Sequence, residues 1–111
     1  MLLATAIDID HVNNLGWTCL LEVAILGDGG PRHVEVARLL IEAGADVNAK
    51  DNIEDSPYLY AGAEGRLAIL RLTLAHGADL KSVNRYGGTA LIPACHHGHA
   101  ETVREIGRAH V

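Results

Sequence analysis

The stretch Leu39-Leu-Ile-Glu-Ala-Gly-Ala-Asp-Val-Asn48 returns 33 residues later as Leu72-Thr-Leu-Ala-His-Gly-Ala-Asp-Leu-Lys81. Each copy reads as the last turns of an amphipathic helix closed by a glycine, Gly44 or Gly77. Lacking a Cβ, glycine turns left-handed there at no steric cost and lets the final carbonyls find donors. Self-similarity at this period is the mark of stacked modules that share one core.

Met1-Leu-Leu-Ala-Thr-Ala-Ile-Asp-Ile-Asp10 aligns residue for residue with Leu39–Asn48, with Ala6 in place of the closing glycine. Residues 1–10 are therefore expected to be the tail of a preceding or permuted module. His11-Val-Asn-Asn-Leu-Gly-Trp-Thr18 is a turn in which Gly16 supplies a positive φ and Thr18 caps a helix over about 19–26. Gly27-Asp-Gly-Gly-Pro-Arg32 reads as a loop that lengthens this module, and a second helix is expected over about 33–43. Its inner side should carry Val36, Ala37, Leu39 and Leu40, with Glu35, Arg38 and Glu42 outside.

The second module has stronger start signals, since Ser56 is a good N-cap and Pro57 then wastes no backbone donor. Helices are expected over 57–64 and 66–76, broken at Gly65. In the third module Thr89 reads as the cap of a helix over about 90–97, which puts Pro93 in the first turn, where amide protons have no partner within the helix. Gly98 follows Gly65 by 33 residues, and a last helix begins near Ala100 with Thr102, Val103 and Ile106 apolar or inward; 107–111 departs from the pattern as an irregular tail. The modules run about 11–48, 49–81 and 82–106 within a single 1–111 domain.

Composition agrees with this plan and narrows the function. Phenylalanine is absent and aromatics make up 4% while small and aliphatic residues abound, which suits thin, closely packed helices. With 9 Lys plus Arg against 14 Asp plus Glu, the net charge of −5 would repel a nucleic-acid backbone. Two cysteines outside any Cys-x-x-Cys pair make no disulfide framework, and Cys19 and Cys95 are expected to be small buried residues. No segment approaches the ~18 apolar residues that span a bilayer, and the N-terminal apolar run is short for a signal peptide and lacks a basic leader. A cytoplasmic protein is the expectation.

With the modules laid out, the chain resembles the ankyrin repeat family. Asn84-Arg-Tyr-Gly-Gly-Thr-Ala-Leu91 is similar to its turn and first helix, Gly98-His99 to its inter-helix turn, Gly44-Ala-Asp-Val-Asn48 to its repeat end, and Ser56-Pro57 stands where the family has Thr-Pro. The likeness runs over nearly all of residues 2–106. It implies an all-α solenoid of helix-turn-helix modules joined by β-hairpin-like turns. The family's histidine after Thr-Pro-Leu is replaced by Leu21, Leu59 and Ile92, so apolar packing is expected in its place, and the turn glycine kept as Gly16 and Gly87 is Glu54 in the middle module. The glycine-rich loop, which in similar small bacterial ankyrin proteins lies towards the C-terminal end, here comes in the first module. That order, with Leu2 and Ile106 at equivalent points of the repeat, suggests an excised, rearranged or permuted array whose severed ends expose apolar surface. Terminal modules normally carry polar caps, so self-association through uncapped ends is also expected.

Chemistry-bearing residues offer little else. His96, His97 and His99 invite a metal reading, but neighbours on a helix point apart and no acidic or cysteine ligand falls at a matching spacing. Gly27–Arg32 lacks the Lys-Ser/Thr of a phosphate loop. Thr18, Ser56 and Thr89 are spent as caps and the cysteines as core, so no nucleophile, base and orienting group assemble into an enzyme. No cofactor is implied. What the resemblance implies is non-catalytic protein binding by turn tips and the adjoining helices. The candidate contact residues are Leu15, Trp17, Ile53, Asp55, Arg85 and Tyr86 at the tips, with Glu22, Tyr60, His96 and His97 on the helices. Trp, Tyr and Arg are the types enriched at interface hot spots. The alternatives are a self-assembling, domain-swapped or engineered repeat scaffold, and a metal- or anion-binding regulator.

Overall fold

A computed structural model of the chain describes residues 8–27 and 30–109. These form helices α1 (Cys19–Leu26), α2 (Pro31–Glu42), α3 (Pro57–Glu64), α4 (Leu67–Ala75), α5 (Leu91–His96) and α6 (Ala100–Ala109), and no strand occurs among them. Within each module the two helices pack together. Between modules α1 packs on α3 and α3 on α5, while α2 packs on α4 and α4 on α6. The result is two parallel rows, α1-α3-α5 and α2-α4-α6, in a body of 39 × 26 × 26 Å.

Small side chains let the rows approach. Ala37, Ala61, Ala90 and Ala94 are fully buried beside Leu20, Leu40, Tyr58, Leu59, Ile69, Leu70 and Ile106. Each of the larger residues contributes roughly 1.5–3 kcal/mol by leaving water. At Gly62 a Cβ would stand 2.8 Å from the Cβ of Ala90, so even alanine is too large where α3 meets the start of α5.

The caps follow the local signals at several points. The Thr18 and Ser56 hydroxyls accept from the Leu21 and Leu59 amides at 3.2 and 3.1 Å. Gly44 and Gly77 take positive φ. Behind them Ala45 N–H donates to Leu40 O, and Ala78 N–H to Thr73 O, both at 3.0 Å, closing the two helices in the same way.

Other expectations fail for identifiable reasons. Helix α2 begins at Pro31, not near His33, because proline at the first helical position leaves no donor unpaired and extends the helix into the supposed loop. Thr89 does not cap α5: the helix starts from Ala90 with no side-chain cap bond, although Pro93 still falls in the first turn. Helix α6 continues through Gly107 to Ala109, where a tail was expected. Cys19 and Cys95 are exposed, because Leu20, Leu21 and Ala24 on α1, and Ala90 and Ala94 beside Cys95, already fill the buried side. Val36 is 41% exposed, being turned about 100° from Ala37 on a helix whose buried face is Ala37, Leu40 and Ile41. Leu21 and Leu59 are buried in place of the family histidine, but Ile92 is 63% exposed. The part of the expected N-terminal module tail that covers residues 1–7 lies outside the described residues.

Candidate protein-docking face

Three turn tips stand along one side of the rows, each built by one side chain. The Oδ1 atom of Asn13 accepts from the amides of Leu15 and Trp17 at 2.9 and 3.0 Å. Asp51 does the same for Ile53 and Asp55 at 3.0 and 2.8 Å, and Asn84 for Tyr86 and Gly88 at 2.9 and 3.1 Å. In every tip the first residue also donates its own amide to the carbonyl of the fifth, Asn13 to Trp17, Asp51 to Asp55 and Asn84 to Gly88, which makes the reversal hairpin-like. The fourth residue has positive φ: Gly16 at 79°, Glu54 at 68° and Gly87 at 77°.

A second ladder joins the repeat ends. Asp8, Asp46 and Asp79 each accept from the amide two residues on. Asp10 and Asn48, at matching places, reach to the next repeat and accept from the amides of Asp46 and Asp79 at 2.9 and 2.8 Å. Asp8 to Asp10 thus make the contacts of a repeat end. The tips are tied as well: Trp17 Nε1 donates to Asp51 Oδ2 at 3.1 Å, Asn52 N–H to Leu15 O at 3.2 Å, and Lys50 Nζ to Val83 O at 2.7 Å. Fixed backbones of this kind lose little entropy on contact.

Between the second and third tips, α3 and α5, lies an open groove of about 560 Å³. It brings together Ile53, Asp55, Tyr60, Arg85, Tyr86, His96 and His97 of the sequence-derived set. Leu15 and Trp17 stand on the first tip outside it, and Trp17 is half-buried with its indole N–H committed to Asp51. Glu22 borders a separate shallow hollow of about 280 Å³ with Cys19, Leu26 and His33. Glu64, Ile92 and Pro93 also line the groove and were missed. Their signal was present, since Glu64 follows Tyr60 and His96 follows Ile92 by one helical turn. The tip-forming Asn84 lines it too.

The electrostatics of the two rows differ. On α2, α4 and α6 the charges nearly cancel, Arg32, Arg38, Arg71, Arg104 and Arg108 against Glu35, Glu42, Glu101 and Glu105. Arg38 spans Glu35 and Glu42, Arg104 pairs with Glu101, and Glu105 takes Arg71 and Arg108 at 3.2 and 2.8 Å. Everywhere else among the described residues nine acids (Asp8, Asp10, Glu22, Asp46, Asp51, Glu54, Asp55, Glu64, Asp79) face four bases (Lys50, Arg66, Lys81, Arg85). The negative charge therefore gathers on the tips, repeat ends and first-row helices. Partial burial, then the neighbouring Asp51 charge, holds the Asp55 carboxyl above the ordinary aspartate range, with Arg85 opposing. Burial and then Glu64 push the Tyr60 phenol up.

Among the described residues no group of three or more His, Cys, Asp or Glu is placed to hold a metal ion. The rings of His97 and His99 stack at 5.9 Å, and those of His96 and His97 meet edge-on at 5.2 Å. No helix among those residues is long and apolar enough to cross a membrane.

Paired helices at this period, carrying hairpin-like tips, define a repeat scaffold. The chain belongs to the ankyrin repeat family: residues 58–104 match the family described as ankyrin repeats (many copies), and residues 15–52 match the single ankyrin repeat. The ankyrin fold is a non-catalytic scaffold typical of protein–protein interaction. The chain is 33% identical over 104 residues to the Escherichia coli K12 ankyrin repeat protein YahD, a match covering 94% of this chain and 49% of that protein. A solved ankyrin repeat domain from Acinetobacter baumannii AYE superposes with a TM-score of 0.88 at 57% identity, over 97% of this chain and 53% of that one. The Enterococcus ankyrin repeat protein EF0377 gives 0.80 at 43%, over 93% and 50%. The chain thus spans about half the length of these relatives.

Proposed function

We propose that this chain is a cytoplasmic docking module that binds a protein partner through its turn tips and the α1-α3-α5 row, its modules 11–48, 49–81 and 82–106 acting as one rigid platform. The observation that carries the reading is the groove between the second and third tips, where Ile53, Ile92 and Tyr86 lie exposed beside polar groups. Exposed apolar area gathered in one concavity and rimmed by polar side chains is what interaction sites present.

Affinity capture from cells, with the bound proteins read by mass spectrometry, tests this with the double variant Tyr86→Ala, Ile92→Asp. The variant should keep its helicity by circular dichroism and lose the partner. Equal capture by variant and parent contradicts docking at this groove. Mass measured across a concentration series distinguishes the alternative, a self-assembling scaffold, which predicts a particle that grows with concentration.

A further inference from the structure

If the groove is the docking site, as proposed above, its lining selects what enters it. Two carboxylates, Asp55 and Glu64, open into it between apolar residues, and the arginine that lines it is Arg85, on the exposed third tip. Arg85 lies 4.8 Å above the Tyr86 ring and lends its charge towards Asp55. Behind Asp55 stands Asp51, nearly buried. Carboxylates that crowd each other in a partly desolvated hollow favour any cation able to enter.

We propose that the groove receives an arginine or lysine side chain from a protein segment, its aliphatic stem against Ile53 and Ile92 and its charged head at Asp55 and Glu64. The excess of nine acids over four bases outside α2, α4 and α6 draws such a segment to this face. An acidic segment meets both carboxylates and is turned away. A second copy of this chain is a poor occupant, because it brings the same excess of acids over bases to the contact and like charges then oppose each other across it. In the free protein Arg85, stacked on Tyr86, supplies part of the missing charge. It therefore competes with the incoming cation.

Titration of isotope-labelled protein with the peptides acetyl-Leu-Arg-Leu-amide, acetyl-Leu-Gln-Leu-amide and acetyl-Leu-Glu-Leu-amide, followed at the amide signals of Ile53, Asp55 and Tyr86, tests the inference. The arginine peptide should bind at least about fivefold tighter than the glutamine peptide, and the margin should shrink with added salt. The pair Asp55→Asn, Glu64→Gln, checked for retained helicity, should erase the preference, whereas Arg85→Ala should tighten the arginine peptide by about threefold. Equal binding of all three peptides overturns the cationic occupant and leaves docking at the groove standing. Weaker binding of the arginine peptide by Arg85→Ala, or no shift at these residues with any peptide, overturns it too, while the capture experiment judges the docking reading separately.

Discussion

The indole N–H of Trp17 donates to Oδ2 of Asp51 across 3.1 Å, joining the first turn tip to the second. The other oxygen of the same carboxylate holds the Ile53 and Asp55 amides, so one nearly buried side chain sets a tip and fastens it to its neighbour. Asp51→Ala should cost about 2–3 kcal/mol in urea unfolding, since it strands three donors. Asp51→Asn should cost only about 1 kcal/mol, because an amide oxygen does the same tip-forming work at Asn13 and Asn84. Both changes should shift the emission of the single tryptophan to the red. An Asn variant as weak as the Ala variant would contradict this division of labour.

Glu54 sits at φ 68°, where the equivalent places hold Gly16 and Gly87. A side chain there is strained, and its pairing with Lys50 at 3.8 Å between exposed groups returns little. Glu54→Gly should therefore raise stability by about 0.5–1 kcal/mol. A loss of stability in chemical denaturation would show that the ion pair outweighs the backbone.

Much of this arrangement was legible beforehand. Ser56-Pro57 and Gly65 bracket α3 without ambiguity, and Gly44 and Gly77 end α2 and α4 as their φ values require. Asn13 and Asn84 fall within the turns read from the sequence, but the tip-forming role they share with Asp51 does not show there, because it is carried by one acceptor oxygen that two residue types supply and their neighbours differ at each tip. The cysteines misled for a different reason: a small apolar residue on an inner helix is buried only if alanines and leucines have not already taken the face. Half of the groove was visible as large residues at tips. Glu64, Ile92 and Pro93 depend on how far α3 stands from α5, which periodicity does not state.

Tyr58 is fully buried and its hydroxyl has no hydrogen-bond partner among the described residues. An unsatisfied buried hydroxyl costs roughly 1–3 kcal/mol. Tyr58→Phe should thus leave the protein as stable or about 1 kcal/mol more stable, measured by thermal and urea unfolding. A clear destabilisation would reveal a partner for that hydroxyl.

Asp55 titrates above the ordinary aspartate range because of its burial and the Asp51 charge. A carboxyl whose pKa is raised on folding favours the folded state fully below the unfolded value of about 3.9, and that contribution is lost as pH rises through the raised value. At neutral pH its charge therefore works against folding. Asp55→Asn should gain stability relative to the parent as pH rises from 4 to 7, by less than about 1 kcal/mol given solvent screening. A difference that is flat with pH would contradict the assignment.

The proposed partner contact is made by the turn tips and the first helical row and leaves the α2-α4-α6 row free. Hydrogen exchange of the captured complex against the free chain measures this directly. New protection is expected in the segments 51–64 and 84–97. Protection confined to α2, α4 and α6 would contradict it.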